Sequence, residues 1–147
     1  MVVESKSVEE TRQWGARLAK VIEAGDVFAL EGDLGAGKTE FVRGLVNELG
    51  GAVTVRSPSF SIINIYQASA MPVYHFDFYR MSDSDELYEI GFYEYISGDG
   101  VCLIEWGTSF PDVLPKNTRV LRFSDLGSNL RKIEFDGQLC DALKIRL

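Results

Sequence analysis

The sequence contains Glu31-Gly32-Asp33-Leu34-Gly35-Ala36-Gly37-Lys38-Thr39, which fits the phosphate-binding pattern Gly-x-x-x-x-Gly-Lys-[Ser/Thr] at every position. The segment from Asp26 to Glu31 has the apolar run of a short buried strand, and the segment from Thr39 to Leu49 has the apolar spacing of an amphipathic helix. Strand, glycine-rich loop and helix follow one another in the order that a Walker A loop requires. The alternative is a glycine-rich turn that matches by chance, and the flanking strand and helix argue against it.

The backbone and side chains of this loop are expected to hold the phosphates of a nucleotide. Glycines allow positive φ angles that turn N–H groups inward, and the positive end of the following helix attracts an anion. Lys38 would reach the β- and γ-phosphates, and the hydroxyl of Thr39 would be a ligand for Mg²⁺ between them. The predicted phosphate-binding residues are Gly35, Ala36, Gly37, Lys38 and Thr39.

Composition limits the size and the surroundings of the protein. The chain has 147 residues, 46% hydrophobic and 25% charged, which predicts a single compact domain over residues 1–147. The formal net charge is −7 without a basic run, so we expect a soluble chain that repels nucleic acid and meets RNA only through a partner. No apolar stretch has signal-peptide character or the ~20 residues of a membrane span, so we expect a cytoplasmic protein without a membrane or DNA partner. Cys102 and Cys140 lack metal-ligand or disulfide spacing and are expected to be buried or reduced thiols.

Two helices are predicted around the loop. The residues from Ser7 to Glu10 have the Ser-x-x-Glu form of a capping box, and apolar side chains follow at helical spacing to about Ala24. Gly25 is expected to end this first helix. The second helix has an apolar stripe and ends at two glycines after Leu49.

The segment from Arg56 to Phe60 is predicted to be a loop that enters a strand from Phe60 to Tyr66. Pro58 favours an extended conformation at Ser57 and blocks a helix. Two interpretations of the hydroxyls of Ser57 and Ser59 are open. They face the nucleotide, or they form a turn that starts the strand.

A strand from Val73 to Arg80 is predicted to have one polar face. Its period of two places His75, Asp77 and Tyr79 on the same side, where a core strand is normally apolar. A lone histidine is more often structural, and this interpretation is favoured for His75. Asp77 is a stronger functional candidate. The residues from Ser82 to Gly91 are predicted to form an acidic, solvent-facing helix ended by the glycine.

The run from Val101 to Ile104, followed by Glu105, has the form of a Walker B strand. A buried central strand of this kind delivers an acid from its C-terminal end to the metal beside the phosphate loop. Glu105 could bind Mg²⁺ directly, bind it through water, or orient the attacking water. For Trp106 three interpretations are open, because the spacing does not distinguish between them: it packs in the core, it stacks on a ligand, or it gates the site. Two further strands are predicted from Thr118 to Phe123 and from Lys132 to Asp136, joined by a turn at Gly127 to Asn129.

Several spaced motifs together resemble the TsaE (YjeE) family between about Ser7 and Trp106. The motifs are Ser-x-Glu-Glu-Thr at Ser7 to Thr11, Gly-Asp-Leu-Gly-Ala-Gly-Lys-Thr, Ser-Pro-[Thr/Ser]-Phe, His-x-Asp-x-Tyr-Arg, Glu-x-Gly-Phe-x-Glu-Tyr and Ile-Glu-Trp. The resemblance implies a bacterial ATPase that works in making the threonylcarbamoyladenosine modification of tRNA. It implies ATP and Mg²⁺ as cofactors and the proteins TsaD and TsaB as partners, with tRNA reached only through that complex. TsaD would perform the threonylcarbamoyl transfer and TsaB would act as its scaffold.

The resemblance also implies roles for particular residues. Lys38 and Thr39 would hold phosphates and Mg²⁺, Glu105 would be the Walker B acid and metal ligand, and Asp77 would be a second acid needed for activity. The switch-like loop near the γ-phosphate would be Ser57-Pro58-Ser59, and at Ser59 the family usually has Thr.

Four further positions are implied to lie at or near the site. Thr11 is similar in place to a residue at the adenine end of the nucleotide, and Arg131 is implied to act there as well. Trp106 and His75 are expected near the site.

Other functional classes fit less well. A small-molecule kinase would carry an arginine-rich lid, which the sequence does not show, and a GTPase would carry Asn/Thr-Lys-x-Asp, which the segment from Lys116 to Arg119 does not match. A nucleotide-gated binding module with negligible turnover shares most of these residues and stays open.

The combined prediction is an α/β, P-loop NTPase-like single domain with a central mixed β-sheet flanked by helices. Its parallel part would carry the strands from Asp26 to Glu31 and from Val101 to Ile104, and later strands would add antiparallel edges. The predicted activity is ATP hydrolysis that is slow alone, is stimulated by partners, and resets the TsaD-TsaB complex.

Overall fold

The structure is a computed structural model and describes residues 1–52, 54–58, 60–137 and 139. The expectations for Ser59 and Cys140 lie outside these residues. The strands in this part of the chain are β1 (Val2–Ser5), β2 (Val27–Glu31), β3 (Ile63–Tyr66), β4 (Val73–Asp77), β5 (Val101–Glu105), β6 (Arg119–Gly127) and β7 (Leu130–Phe135). The helices are α1 (Val8–Ala19), α2 (Lys38–Glu48), α3 (Asp85–Glu89) and α4 (Phe92–Ile96), and short 3₁₀ helices follow at Gly107–Ser109 and Pro111–Val113.

The strands of the described residues form one seven-stranded mixed sheet in the order β1-β7-β6-β2-β5-β4-β3. The neighbours β6, β2, β5 and β4 run parallel, whereas β7, β1 and β3 are antiparallel to their neighbours. The predicted mixed sheet and its P-loop NTPase-like class are therefore confirmed. The expectation that the later strands add antiparallel edges is confirmed for β7 and is wrong for β6, which lies inside the sheet and pairs with β2 in parallel.

Two apolar layers cover the sheet. Phe28, Leu30 and Leu103 belong to the core cluster on the α1 and α2 side, whereas Val27, Cys102 and Ile104 belong to the cluster that includes Leu87 of α3 and Phe92 of α4. Residues of β2 and β5 thus alternate between the two layers, and both strands are buried on both faces, as their apolar runs predict. Cys102 is 1% exposed, which confirms a buried thiol at that position.

Helices α1 and α2 pack through glycines. A Cβ atom added to Gly15 would lie 2.0 Å from the carbonyl oxygen of Phe41, and one added to Gly44 would lie 1.9 Å from that of Arg12. The two backbones are therefore in direct contact, which holds the N-terminal half of α1 beside the glycine-rich loop. In the part of the chain that the structure describes, no helix is long and apolar enough to cross a membrane.

Three element ends differ from the predictions at local turns, and β6 also continues to Gly127, past its predicted end at Phe123. The first helix ends at Ala19 instead of about Ala24, since the carboxylate of Asp26 accepts from the backbone N–H of Glu23 at 2.9 Å and starts a turn. Strand β3 begins at Ile63 instead of Phe60, after a positive φ of 66° at Ile62. Strand β4 ends at Asp77, whose Oδ1 accepts from the backbone N–H of Tyr79 at 2.9 Å.

The acidic segment 82–91 is also shorter as a helix than predicted. Its helical part is α3, and the chain then turns at Gly91, which has a φ of 75°, into α4. Both α4 and the edge strand β1 were missed by the sequence analysis.

Candidate nucleotide-binding site

The glycine-rich loop between β2 and α2 has the backbone expected of a phosphate-binding loop. Gly35 and Gly37 have positive φ angles of 80° and 103°, and α2 begins directly after them at Lys38. A Cβ at Gly35 would meet nothing within 4 Å, so the backbone angle and not crowding is what favours glycine there. Ala36 is buried, and its N–H donates to the carbonyl of Asp33 at 3.1 Å. The loop thus brings backbone N–H groups to the positive end of an eleven-residue helix.

Lys38 lies inside the site, with 7% of its surface exposed. Its ammonium group donates to the carbonyl of Gly32 and lies 3.7 Å from Oε1 of Glu105. It also lies 5.3 Å from the centre of the Trp106 ring, over the ring face. Lys38 and Glu105, which were predicted to bind phosphate and metal, therefore lie close together.

Glu105 and Asp77 come to the same edge of the sheet because β4 and β5 run parallel. The two residues are register partners, and both are buried, at 4% and 5% exposure. His75, two residues before Asp77 on β4, is completely buried, and its Nε2 lies 2.8 Å from Oε2 of Glu105. The polar face predicted for this strand therefore faces the candidate site, and His75 contacts a candidate catalytic acid directly.

Trp106 has an unusual backbone. Its φ is 59°, in the left-handed region that non-glycine residues rarely adopt, directly after Glu105. The indole is half-buried, packs against the ring of Tyr79 with 5.1 Å between centres, and lies beside Lys38. Trp106 thus borders the site and also packs against the core cluster that contains Ile104 and Phe78, so its core, stacking and gating interpretations all stay open.

A cleft of about 260 Å³ runs along the loop and α2. It is lined by most of the predicted nucleotide-binding residues, which come from five separate parts of the chain: Thr11, Gly35, Gly37, Lys38, Thr39, Ser57, Glu105 and Arg131. The convergence places the predicted adenine-end residues and the phosphate loop along one cavity. A second cleft, of about 440 Å³, shares Lys38, Ser57 and Glu105 with the first and continues past Asp77 and Trp106.

The two residues predicted at the adenine end have definite partners. The hydroxyl of Thr11 lies 2.7 Å from that of Ser5, and its methyl carbon lies 3.5 Å from where a Cβ of Gly37 would be. Arg131 forms an ion pair with Asp125 at 2.8 Å, and its side chain also passes beside Gly37. Both side chains therefore form part of the wall of the cleft next to the loop.

The switch-like loop borders both clefts at Ser57. The chain just before this loop is bonded to α2, because the guanidinium of Arg43 donates to the carbonyl of Val55 at 3.1 and 3.2 Å. Pro58 is buried, whereas Ser57 is exposed at the mouth of the cleft. Ser57 thus lies where a ligand in either cleft would pass, and both interpretations of its hydroxyl stay open.

The residues present fit a metal that is shared with phosphates better than a metal held by the protein alone. Among the described residues, no group of three or more His, Cys, Asp or Glu side chains is placed to hold a metal ion. Mg²⁺ usually keeps several waters and takes one or two protein ligands plus phosphate oxygens. Thr39 and Glu105, which line the same cleft as Lys38, supply a hydroxyl and a carboxylate of this kind.

Sequence analysis missed Tyr66 and the contact between His75 and Glu105. Tyr66 is buried at the end of β3, and its hydroxyl lies 3.4 Å from Nδ1 of His75. The only signal in the sequence was the polar face of β4, because the pairing of β3 with β4 is not visible in either segment alone.

Comparison with known proteins gives concordant matches over most of the chain. The family model of the threonylcarbamoyl adenosine biosynthesis protein TsaE matches residues 5–133. The tRNA threonylcarbamoyladenosine biosynthesis protein TsaE of Bacillus subtilis (strain 168) is 42% identical over 127 residues, which are 86% of this chain and 79% of that protein. The protein of the same description from Treponema pallidum (strain Nichols) is 36% identical over 129 residues, 88% of this chain and 95% of that protein. The crystal structure of Bacillus subtilis YdiB superposes with a TM-score of 0.84 at 34% identity, covering 99% of this chain and 95% of that one.

Proposed function

Since this chain belongs to the TsaE family, it acts in tRNA threonylcarbamoyladenosine biosynthesis, and we propose that its part there is to bind Mg-ATP and to hydrolyse it. The observation that carries the proposal is the placement of Lys38. Its buried ammonium lies 3.7 Å from the Glu105 carboxylate, at the start of α2, in the cleft that Thr39 also lines. A phosphate-binding lysine and a metal-binding acid in this arrangement support nucleotide hydrolysis.

The residues of the loop bind and orient the triphosphate. The N–H groups at Gly35 and Gly37 and the ammonium of Lys38 donate hydrogen bonds to phosphate oxygens. Mg²⁺, when bound with ATP, supplies positive charge that offsets the negative charge on the β- and γ-phosphate oxygens. Thr39 and Glu105 would hold it, the first through its hydroxyl and the second directly or through water. Lys38 and the metal would thus act at the same end of the nucleotide.

Asp77 is the second acid of the proposal. It lies beside Glu105 at the C-terminal edge of the sheet and lines the second cleft, next to Lys38. A carboxylate there can accept a hydrogen bond from the attacking water and hold it in line with the γ-phosphate. The two carboxylates are therefore assigned different tasks, with Glu105 on the metal side and Asp77 on the water side.

The matched variants Glu105→Gln and Glu48→Gln test the hydrolytic part of the proposal. We expect Glu105→Gln to keep ATP affinity within about threefold and to lose turnover by about 100-fold or more, because the amide keeps the shape and removes the charge. Glu48→Gln changes an exposed carboxylate at the far end of α2, paired with Lys20, and should leave both quantities unchanged. Wild-type phosphate release by a folded Glu105→Gln protein would contradict the proposal.

We further propose that TsaD and TsaB are the partners and that they raise the rate. In this structure the guanidinium of Arg131 is paired with Asp125, and that of Arg80 stacks on Phe60, 4.4 Å from the ring centre. An additional arginine supplied by a partner can raise such a rate by roughly 10³–10⁵-fold. The net charge of −7 argues against direct help from tRNA, whose phosphates need basic contacts.

Phosphate release with no addition, with tRNA, with TsaD plus TsaB, and with all of them tests the partners. We expect stimulation of several-fold or more with the two proteins and none with tRNA alone. Stimulation by tRNA without proteins would overturn the partner assignment, and no turnover under any condition would favour a nucleotide-gated binding module.

A further inference from the structure

A buried series of polar side chains connects Glu105 to the backbone of the switch-like loop. Nε2 of His75 lies 2.8 Å from Oε2 of Glu105, and its Nδ1 lies 3.4 Å from the hydroxyl of Tyr66. The Tyr66 hydroxyl in turn donates to the carbonyl of Arg56 at 2.8 Å and accepts from the N–H of Arg56 at 3.1 Å. Arg56 directly precedes Ser57, which lines both clefts.

The groups at the two ends of this series, the Glu105 carboxylate and the Arg56 backbone, limit which atoms can donate hydrogen bonds. A carboxylate only accepts hydrogen bonds, so in its contact with Glu105 the imidazole of His75 donates from Nε2. The hydroxyl of Tyr66 has a single proton, and two acceptors lie within reach of it: the carbonyl of Arg56 and Nδ1 of His75. A displacement of the Arg56 backbone would release this proton from the Arg56 carbonyl and make it available to Nδ1 of His75.

Burial makes the contacts of His75 decisive for Glu105. His75 is fully buried and Glu105 is 4% exposed, so bulk water does not replace a lost partner. The carboxylate has Lys38 on one oxygen at 3.7 Å and His75 on the other at 2.8 Å. The shorter contact, to a rigid ring held in the core, fixes the direction in which the carboxylate points.

We propose that His75 is a positioning residue for Glu105, and that Tyr66, acting through His75, couples the direction of the Glu105 carboxylate to the Arg56–Ser57 backbone. This inference rests on the proposed function, in which Glu105 holds the metal. A nucleotide that displaces the loop at Ser57 then also changes the direction of the Glu105 carboxylate. The connection between the loop and Glu105 runs through side chains of β3 and β4.

Two substitutions at position 75 separate positioning from packing. His75→Gln can place an amide nitrogen near the position of Nε2 and keep the donor to Glu105, whereas His75→Asn is too short to reach it. We expect His75→Asn to lower kcat about 10- to 100-fold at unchanged KM for ATP, and His75→Gln to recover a large part of the loss. Equal kcat values for wild type and a folded His75→Asn protein would overturn the proposal.

Tyr66→Phe removes the hydroxyl and keeps the ring, and Tyr74→Phe is its matched control. Tyr74 is the residue before His75, and its hydroxyl donates to Asp99 at 2.7 Å, away from the site. We expect Tyr66→Phe to lower kcat about 10-fold and Tyr74→Phe to leave it unchanged. Equal effects of the two substitutions would contradict the proposed role of Tyr66.

The chain contains one histidine, so the imidazole can be observed directly. Histidine-labelled ¹⁵N protein gives a long-range ¹H–¹⁵N spectrum with a single pair of nitrogens. We expect the Nδ1 signal to move when Mg²⁺ and a non-hydrolysable ATP analogue are added to wild type, and to move less in Tyr66→Phe. The same movement in both proteins would show that the loop does not act through Tyr66.

The nucleotide-free spectra distinguish this inference from the proposed function. Tyr66→Phe should shift Nδ1 and Glu105→Gln should shift Nε2 even without ATP, because both contacts lie between side chains of the protein itself. If the wild-type protein neither bound nor hydrolysed ATP, the proposed function would fail. The shifts in the nucleotide-free spectra would still decide whether His75 joins Tyr66 to Glu105. Unchanged imidazole signals in both variants would refute the coupling.

Discussion

Replacement of Lys38 by alanine should weaken ATP binding by about 10²–10⁴-fold. The ammonium is expected to donate to oxygens of two phosphates, and a hydrogen bond to a charged group contributes about 1.5–3 kcal/mol. Two such bonds give about 3–6 kcal/mol, and each 1.4 kcal/mol is a factor of ten in the dissociation constant. The backbone N–H groups of the loop remain in Lys38→Ala, so some affinity for phosphate should persist.

The same substitution should also lower the free energy of unfolding. The ammonium of Lys38 lies 3.7 Å from the carboxylate of Glu105, and both side chains are almost fully buried, at 7% and 5% exposure. Coulomb attraction at this distance is about 4 kcal/mol at an effective dielectric constant near 20. Removal of one partner of a buried pair costs about 3–5 kcal/mol. Because this contact is longer than a charge-assisted hydrogen bond, we expect about 3 kcal/mol.

Lys20→Ala is the matched control, since Lys20 and Glu48 are also 3.7 Å apart but their side chains are 53% and 39% exposed. Such a surface pair contributes at most about 1 kcal/mol. Isothermal titration calorimetry with Mg-ATP and urea unfolding of wild type, Lys38→Ala and Lys20→Ala measure both effects. ATP affinity within about threefold of wild type in folded Lys38→Ala would refute the phosphate-binding role. Equal losses of the free energy of unfolding in Lys38→Ala and Lys20→Ala would refute the larger cost that we assign to breaking the buried Lys38–Glu105 pair.

Three further predictions concern turnover, packing and alkaline pH. Asp77→Asn should keep ATP affinity in calorimetry and lose turnover by about 100-fold, and wild-type phosphate release would remove Asp77 from the mechanism. Gly44→Ala should lower the free energy of unfolding in urea by about 3 kcal/mol, because the new methyl would lie 1.9 Å from the carbonyl oxygen of Arg12. In the control Gly137→Ala the new methyl meets nothing within 4 Å, so the loss should be much smaller. Burial raises the pKa of the Cys102 thiol from 9.0 to about 12, so the unfolded chain loses this proton first and the free energy of unfolding should fall as pH rises from about 9 to about 12. Iodoacetamide at pH 8 should therefore leave Cys102 unmodified in the native protein by peptide mass spectrometry, and rapid modification would contradict its burial.

The Walker A loop and the start of α1 could be predicted because the residues that form them interact with partners only a few positions away in the sequence. The glycine pattern requires positive φ angles, and Gly35 and Gly37 have them. The hydroxyl of Ser7 accepts from the N–H of Glu10 at 3.1 Å, as the capping pattern predicts. The apolar run that ends at Glu105 likewise forms a strand buried on both faces. Each of these features follows from residue types at fixed short spacing.

The ends of several elements could not be predicted because local side-chain hydrogen bonds compete with helix and strand. Asp26 accepts from the N–H of Glu23 after α1, and Asp77 accepts from the N–H of Tyr79 after β4. In both places the aspartate side chain gives a backbone N–H an alternative hydrogen-bond acceptor. The spacing of apolar residues does not show whether that N–H bonds to the side chain or continues the helix or strand.

The meeting of the site residues depends on the order and register of the strands. Asp77 lies opposite Glu105 only because β4 and β5 are adjacent and parallel, and His75 reaches Glu105 across thirty positions of sequence. Thr11 and Arg131 reach the same cleft from opposite ends of the chain. The chemical types of these residues, a lysine on a glycine loop and acids after apolar strands, are present in the sequence. Their distances and burial are not, because they result from the packing of the whole sheet, in which each strand's neighbours are set by segments far away along the chain.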